Sequence, residues 1–181
     1  MQPRKYNLPL IYGLIAGLAM ILLLTLLYLG GVNTYMGKLG YFSYVILIVL
    51  ATVAALQEKK AQDGYLEFRD ALKVTFLVFV IGLAMYTFFN WLLLNYIDPP
   101  FRREVERVAL QKAEKMMQDW GFSQDKIDEM EAASKRNTSQ NSFFYTVLAL
   151  ALWYIAFFVV ALIISAIIKK KKPEFNDKAF K

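Results

Sequence analysis

Residues 143–172 read FFYTVLALALWYIAFFVVALIISAIIKKKK: 26 residues without a charge, closed by Lys169, Lys170, Lys171 and Lys172. In hydrocarbon no water is present to satisfy backbone N–H and C=O groups, so a segment of roughly 20 apolar residues must satisfy them internally as a helix. This stretch is therefore a membrane span, and the lysine run is its stop. Three more stretches read the same way. Residues 74–97 contain Asn90 and, near their end, Asn95 and are otherwise apolar, aromatic or Thr; residues 39–56 are shorter; residues 8–29 hold Thr25 as their one strongly polar side chain. The sequence predicts an all-α integral membrane protein with four transmembrane helices, forming a single membrane domain over residues 1–181. Partition by segment explains how 57% hydrophobic and 20% charged residues share one chain of 181, with a mean hydropathy of +0.37.

Arg4 and Lys5 precede the first span, but its length exceeds the roughly 7–15 residues of a signal-peptide core. It is expected to be retained. With no Cys there is no lipoprotein anchor, disulfide or thiol nucleophile, and with no His there is no imidazole base; the usual zinc sites go with them.

Lys and Arg near span ends mark the cytoplasmic side. The N-terminus, the stretch 57–73 and the tail 169–181 share one face and carry twelve of them: Arg4, Lys5, Lys59, Lys60, Arg69, Lys73, Lys169 to Lys172, Lys178 and Lys181. The other face has Lys38 in its short loop and, over residues 98–142, eight Lys and Arg against nine Asp and Glu. Both termini are expected in the cytoplasm. The same face holds six Asp and Glu, so it accounts for the whole net charge of +6. That makes the charge a topology signal and excludes a nucleic-acid reading, which needs a folded basic domain. The lysine tract can also touch anionic head groups. Tyr28, Tyr35, Tyr41, Tyr96 and Tyr145 near one set of span ends, and Tyr6, Tyr12 and Tyr65 near the other, fit aromatic belts at head-group level.

The water-exposed piece is residues 98–142, an outer helical segment between spans three and four. Asp98 followed by Pro99 and Pro100 is a helix start: a carboxylate to cap free N–H groups, then residues with none to lose. Phe101, Val105, Val108, Ala109, Lys112, Ala113, Met116 and Trp120 then recur at helical spacing. Gly121 ends that helix, and Ser123 caps a second whose stripe is Ile127, Met130 and Ala133, with Asp125, Asp128 and Glu129 before Lys135 and Arg136 matching its dipole. The pair is expected to cap the span ends or lie on lipid, being too small to stand alone. Its acids ride on a helix, not on a calcium loop, and residues 137–139 match the short glycosylation pattern.

Gly64, Tyr65, Phe68 and Ala71, the run from Asn95 to Phe101, the turn Gly121, Phe122, Ser123, and residues 162–168 followed by Lys together resemble the domain-of-unknown-function family 4199. Pro100 departs from the acidic residue expected after Asp98 and Pro99, with its helix-start role intact. The resemblance covers nearly the whole chain and implies a small four-span protein of the inner membrane in Bacteroidota. It supplies no catalytic residues, cofactors or ligands.

An enzyme or pump in a bilayer usually shows an ionisable group at depth; no span interior here has one. Asn90 is read as a bond between helices in preference to a polar path. Glu67 and Asp70, with Glu58 upstream, lie among Lys59, Lys60, Arg69 and Lys73 and are read as surface charge pairs in preference to an acid–base or metal site. Gly13 and Gly17 form a GxxxG, and Ala161 and Ser165 a second small face; both are helix-packing candidates. The expected function is a non-enzymatic accessory or scaffold protein without cofactor. Its partners are the lipid bilayer and either further copies of itself or another inner-membrane protein. The alternative is a small oligomeric transporter or channel around Asn90, and a lipid-directed enzyme using Glu67 and Asp70 comes third.

Overall fold

The computed structural model describes residues 7–129, 132 and 142–171. Outside them lie Arg4, Lys5 and Tyr6; Met130, Ala133, Lys135, Arg136 and the acceptor pattern at 137–139; and the tail from Lys172, with Lys178 and Lys181. The side chain of Tyr145 is also outside. The chain is all-α: α1 (Leu8–Leu29), a short α2 (Val32–Tyr35), a single tight turn (Lys38–Gly40) leading into α3 (Tyr41–Ala61), α4 (Phe68–Leu92), α5 (Pro99–Asp119), the start of α6 (residues 124–129) and α7 (Ser142–Ile168).

Four helices are long and apolar enough to cross a membrane: Leu8–Leu29, Lys38–Ala61, Phe68–Ile97 and Leu150–Ile168. This is a multi-pass membrane protein. α3 and α4 outrun their apolar stretches. α3 continues through Gln57, Glu58, Lys59 and Lys60, which favour helix as well as Leu does. α4 begins at Phe68, so Arg69, Asp70 and Lys73 occupy its first turns. Apolarity marks where lipid is; backbone bonding carries the helix further.

Thr25, Thr52 and Thr75 donate their hydroxyls to the carbonyls of Ile21, Ile48 and Ala71, four residues back, at 2.8–2.9 Å. Their polarity is thus consumed within the helix that carries it.

α4 is the hub, packing on α1, α3 and α7, while α1 and α7 flank the α3–α4 pair on opposite sides. The spans therefore form a flattened array. Its core includes Met20, Leu47, Val78, Phe79, Phe157 and Ala161. α1 and α4 run parallel. A Cβ added at Gly13 would lie 2.7 Å from Ile81 Cβ, and one at Gly17 2.9 Å from Met85 Cβ. The bare backbone at these two positions is what lets the helices approach. Gly82 does the same for α4 against α3, where a Cβ would meet Leu47 at 2.6 Å.

Past Leu92 the helix widens into one turn of π-helix, Leu93–Ile97, with the Asp98 N–H donating to Leu93 C=O at 2.9 Å. Asp98 then starts α5 at what we term the cap end of the array. At the opposite, tail end, the chain turns between α3 and α4 through Asp63 and Gly64, both at positive φ (54° and 83°). There Leu66 and Lys170 exchange backbone hydrogen bonds of 2.9 and 2.8 Å, tying the turn to the chain leaving α7.

Candidate functional site

Polar and aromatic side chains converge at the cap end, where α4 hands over to α5. Asp98 uses both carboxylate oxygens. Oδ1 accepts the Phe101 N–H at 3.0 Å, capping α5, and Oδ2 accepts the Tyr28 hydroxyl at 2.8 Å. The two prolines that follow lose nothing at this position, since a first-turn N–H has no helical acceptor. Phe101 inserts between two tyrosines, its ring edge-on to Tyr28 and Tyr35 at 4.8 and 5.3 Å. The Tyr35 hydroxyl donates to Asn90 Oδ1. Burial pushes this phenol up to about 12, outweighing the opposing pull of the Asn90 amide. Asn95 donates to Trp91 C=O at 2.8 Å and accepts from Arg102 at 2.5 Å; Arg102 also pairs with Glu106 at 2.7 Å. Further along α5, the Lys112 ammonium donates to Met36 C=O at 2.7 Å.

This arrangement is a latch. It binds the first loop, the end of α4 and the first four turns of α5 into one unit, and the groups in it are spent on one another. Beside it runs an open groove lined by Asp98, Pro100, Phe101, Arg103, Glu104 and Arg107.

The tail end is held differently. Lys59 donates to Ile168 C=O at 2.7 Å, satisfying a terminal carbonyl of α7. Lys169 and Lys170 lie over the rings of Phe68 and Tyr65, at 5.7 and 5.4 Å. Glu58 is buried and accepts from Gln62 at 2.8 Å. Asp70 pairs with Lys73 at 3.5 Å, and Glu67 is exposed at the start of α4 without capping it.

The sequence-derived positions fall into four places. Gly13 and Gly17 face α4 of the same chain. Ala161 and Ser165 are fully buried on α7, the serine donating to Ala161 C=O at 2.6 Å. Asn90 and Asp98 belong to the latch, Pro99 and Pro100 start α5, and Lys169 to Lys171 leave α7 at the tail end. Sequence reasoning missed Asn95 and Arg102 as partners, because a contact across a proline-marked break has no periodic signature. The signal for Lys112 was present: a lone cation inside an apolar stripe is one whose ammonium has an acceptor to reach. Among the described residues no group of three or more Asp and Glu gathers as a metal site.

A family model described as a protein of unknown function (DUF4199) matches residues 11–170. The chain belongs to the DUF4199 family. No curated protein matches it, and no solved structure does. The DUF4199 match takes in all four spans but for the first turn of α1, the three latch-forming segments, and the tail bridge as far as Lys170.

Proposed function

We propose that this DUF4199 protein is a non-enzymatic accessory or scaffold component of a bacterial inner membrane, the Bacteroidota being the group its sequence resembles. It packs with copies of itself or with another membrane protein. Both termini are cytoplasmic and the cap end faces away from the cytoplasm, a reading supported by the basic residues at the tail end, Lys59, Lys60, Arg69, Lys73 and Lys169 to Lys171.

The observation that carries the scaffold reading is how the polar groups at membrane depth are used. Thr25, Thr52, Thr75 and Ser165 are satisfied by their own helices and Asn90 by Tyr35, while among the described residues the buried Ser43 hydroxyl on α3 is the exception, with no partner. A permeation path would need such groups turned toward a shared lumen. Here they brace the fold instead, which suits a protein whose work is done at its surface. Glu67 and Asp70 act as solvated charges on this reading and have no substrate to serve.

The test is recovery in mild detergent together with crosslinking in native membranes. A stoichiometric partner or a defined oligomer is expected; a monomer by both measures refutes the proposal. Asn90→Leu separates the transporter reading, because loss of a transport phenotype at normal protein level and assembly would put Asn90 on a path.

A further inference from the structure

Beyond the proposed role, we infer that the distal half of α5 lies in the head-group layer of the leaflet at the cap end, an anchor lying in the membrane surface built onto a spanning protein.

The Tyr35 hydroxyl reaches Asn90, two turns before Asp98, while the Tyr35 ring touches Phe101. Met36, next in the chain, therefore sits near the level at which α4 ends. A helix rises about 1.5 Å per residue, which puts Lys112 about 16 Å along α5 from Phe101. Yet the Lys112 ammonium bonds the Met36 carbonyl at 2.7 Å. An upright α5 would carry Lys112 far beyond the reach of its side chain. α5 thus lies across the end of the spans, and its face bearing Phe101, Val108 and Lys112 points down onto them.

Within the array, α5 packs on the π-turn of α4 and on α2. The helix runs on to Asp119, about 10 Å past Lys112. At about 100° per residue, Met116 stays within about 40° of Lys112 and Trp120 within about 80°. These side chains continue the docked stripe or border it, but they have left the protein beneath: Met116 is 48% exposed, Trp120 68% and the following Phe122 43%. Beside spans whose own outer surfaces face lipid, the surface under that overhang is bilayer. Asp119, within about 20° of Lys112, and Lys115, within about 60°, turn toward the same surface on the other side of Lys112 from Met116, which sets the depth at the head groups. That is also the level a tryptophan prefers.

Two measurements decide it, both on the full chain in nanodiscs of phosphatidylethanolamine and phosphatidylglycerol. With no native cysteine, Met116→Cys and Gln118→Cys each take a single spin label. The label at 116 should be shielded from a water-soluble nickel relaxant and reached by oxygen, and the label at 118, on the opposite face, should show the reverse. In a Trp91→Phe, Trp153→Phe chain, Trp120 emission should be quenched by lipids brominated near the glycerol and spared by iodide, at a depth of about 5–10 Å. Equal relaxant access at both labels overturns the inference. So does quenching of Trp120 by iodide, or shielding from iodide and brominated lipid alike, which would place α5 against protein.

Discussion

Gly13→Ala adds one methyl where α1 and α4 touch. The new Cβ would sit 2.7 Å from Ile81 Cβ, against an optimum of about 3.5–4.0 Å between carbon atoms, a shortfall near 1 Å. Ile81 Cβ is bonded directly to the α4 backbone and cannot swing aside, so the helices must separate along the seam that also holds Gly17 against Met85. Overpacking of this kind costs about 1–3 kcal/mol, or about 5- to 150-fold in the folding equilibrium. The assay is reversible unfolding in mixed micelles by dodecyl sulfate, followed by tryptophan emission. In an Ile81→Gly background the methyl has room, and Gly13→Ala should then be neutral within about 0.5 kcal/mol, a coupling that a double-mutant cycle reads directly. The reasoning fails if Gly13→Ala costs the same in both backgrounds. It fails equally if stability is untouched while a dimer dissociates, because the glycine face would then be serving another copy.

Two further outcomes follow from the latch. Asp98→Ala removes the α5 cap and the acceptor of Tyr28, at about 0.5–2 kcal/mol for the cap. Amide exchange over residues 101–112 should quicken while the spans hold, and unchanged exchange there would show that Asp98 does not hold α5. Tyr35 is raised to about 12 from 10; its stabilisation is whole below pH 10 and is lost as pH climbs from 10 to about 12. An alkaline absorbance titration of wild type minus Tyr35→Phe should therefore show a phenol ionising near 12, and one ionising near 10 would contradict its burial.

The spans were legible because lipid imposes one simple demand, and a run such as residues 143–168 can meet it in only one way. The start of α5 was legible for a similar reason: Asp98, Pro99 and Pro100 each act on backbone groups within a few residues. The helical extension of α3 was not, since charged helix formers read as loop when apolarity is the guide. Nor could spacing reveal the choice Gly13 and Gly17 make between another chain and Ile81 and Met85 of this one. The latch was half visible. Tyr28 and Tyr35 read as interfacial rings, and their acceptors lie 70 and 55 residues away, a separation over which periodicity carries no information.

The position of α4 as hub bears on how the chain is made. It is the third span to emerge during synthesis, so α1 and α3 enter the bilayer with only each other as neighbours, the glycine groove of α1 filled by lipid tails until Ile81 and Met85 arrive. α7, the last span to emerge, then docks chiefly on α4. Assembly is thereby ordered by translation itself, and a ribosome stalled between α3 and α4 would leave a pair of helices whose grooves fit nothing yet made.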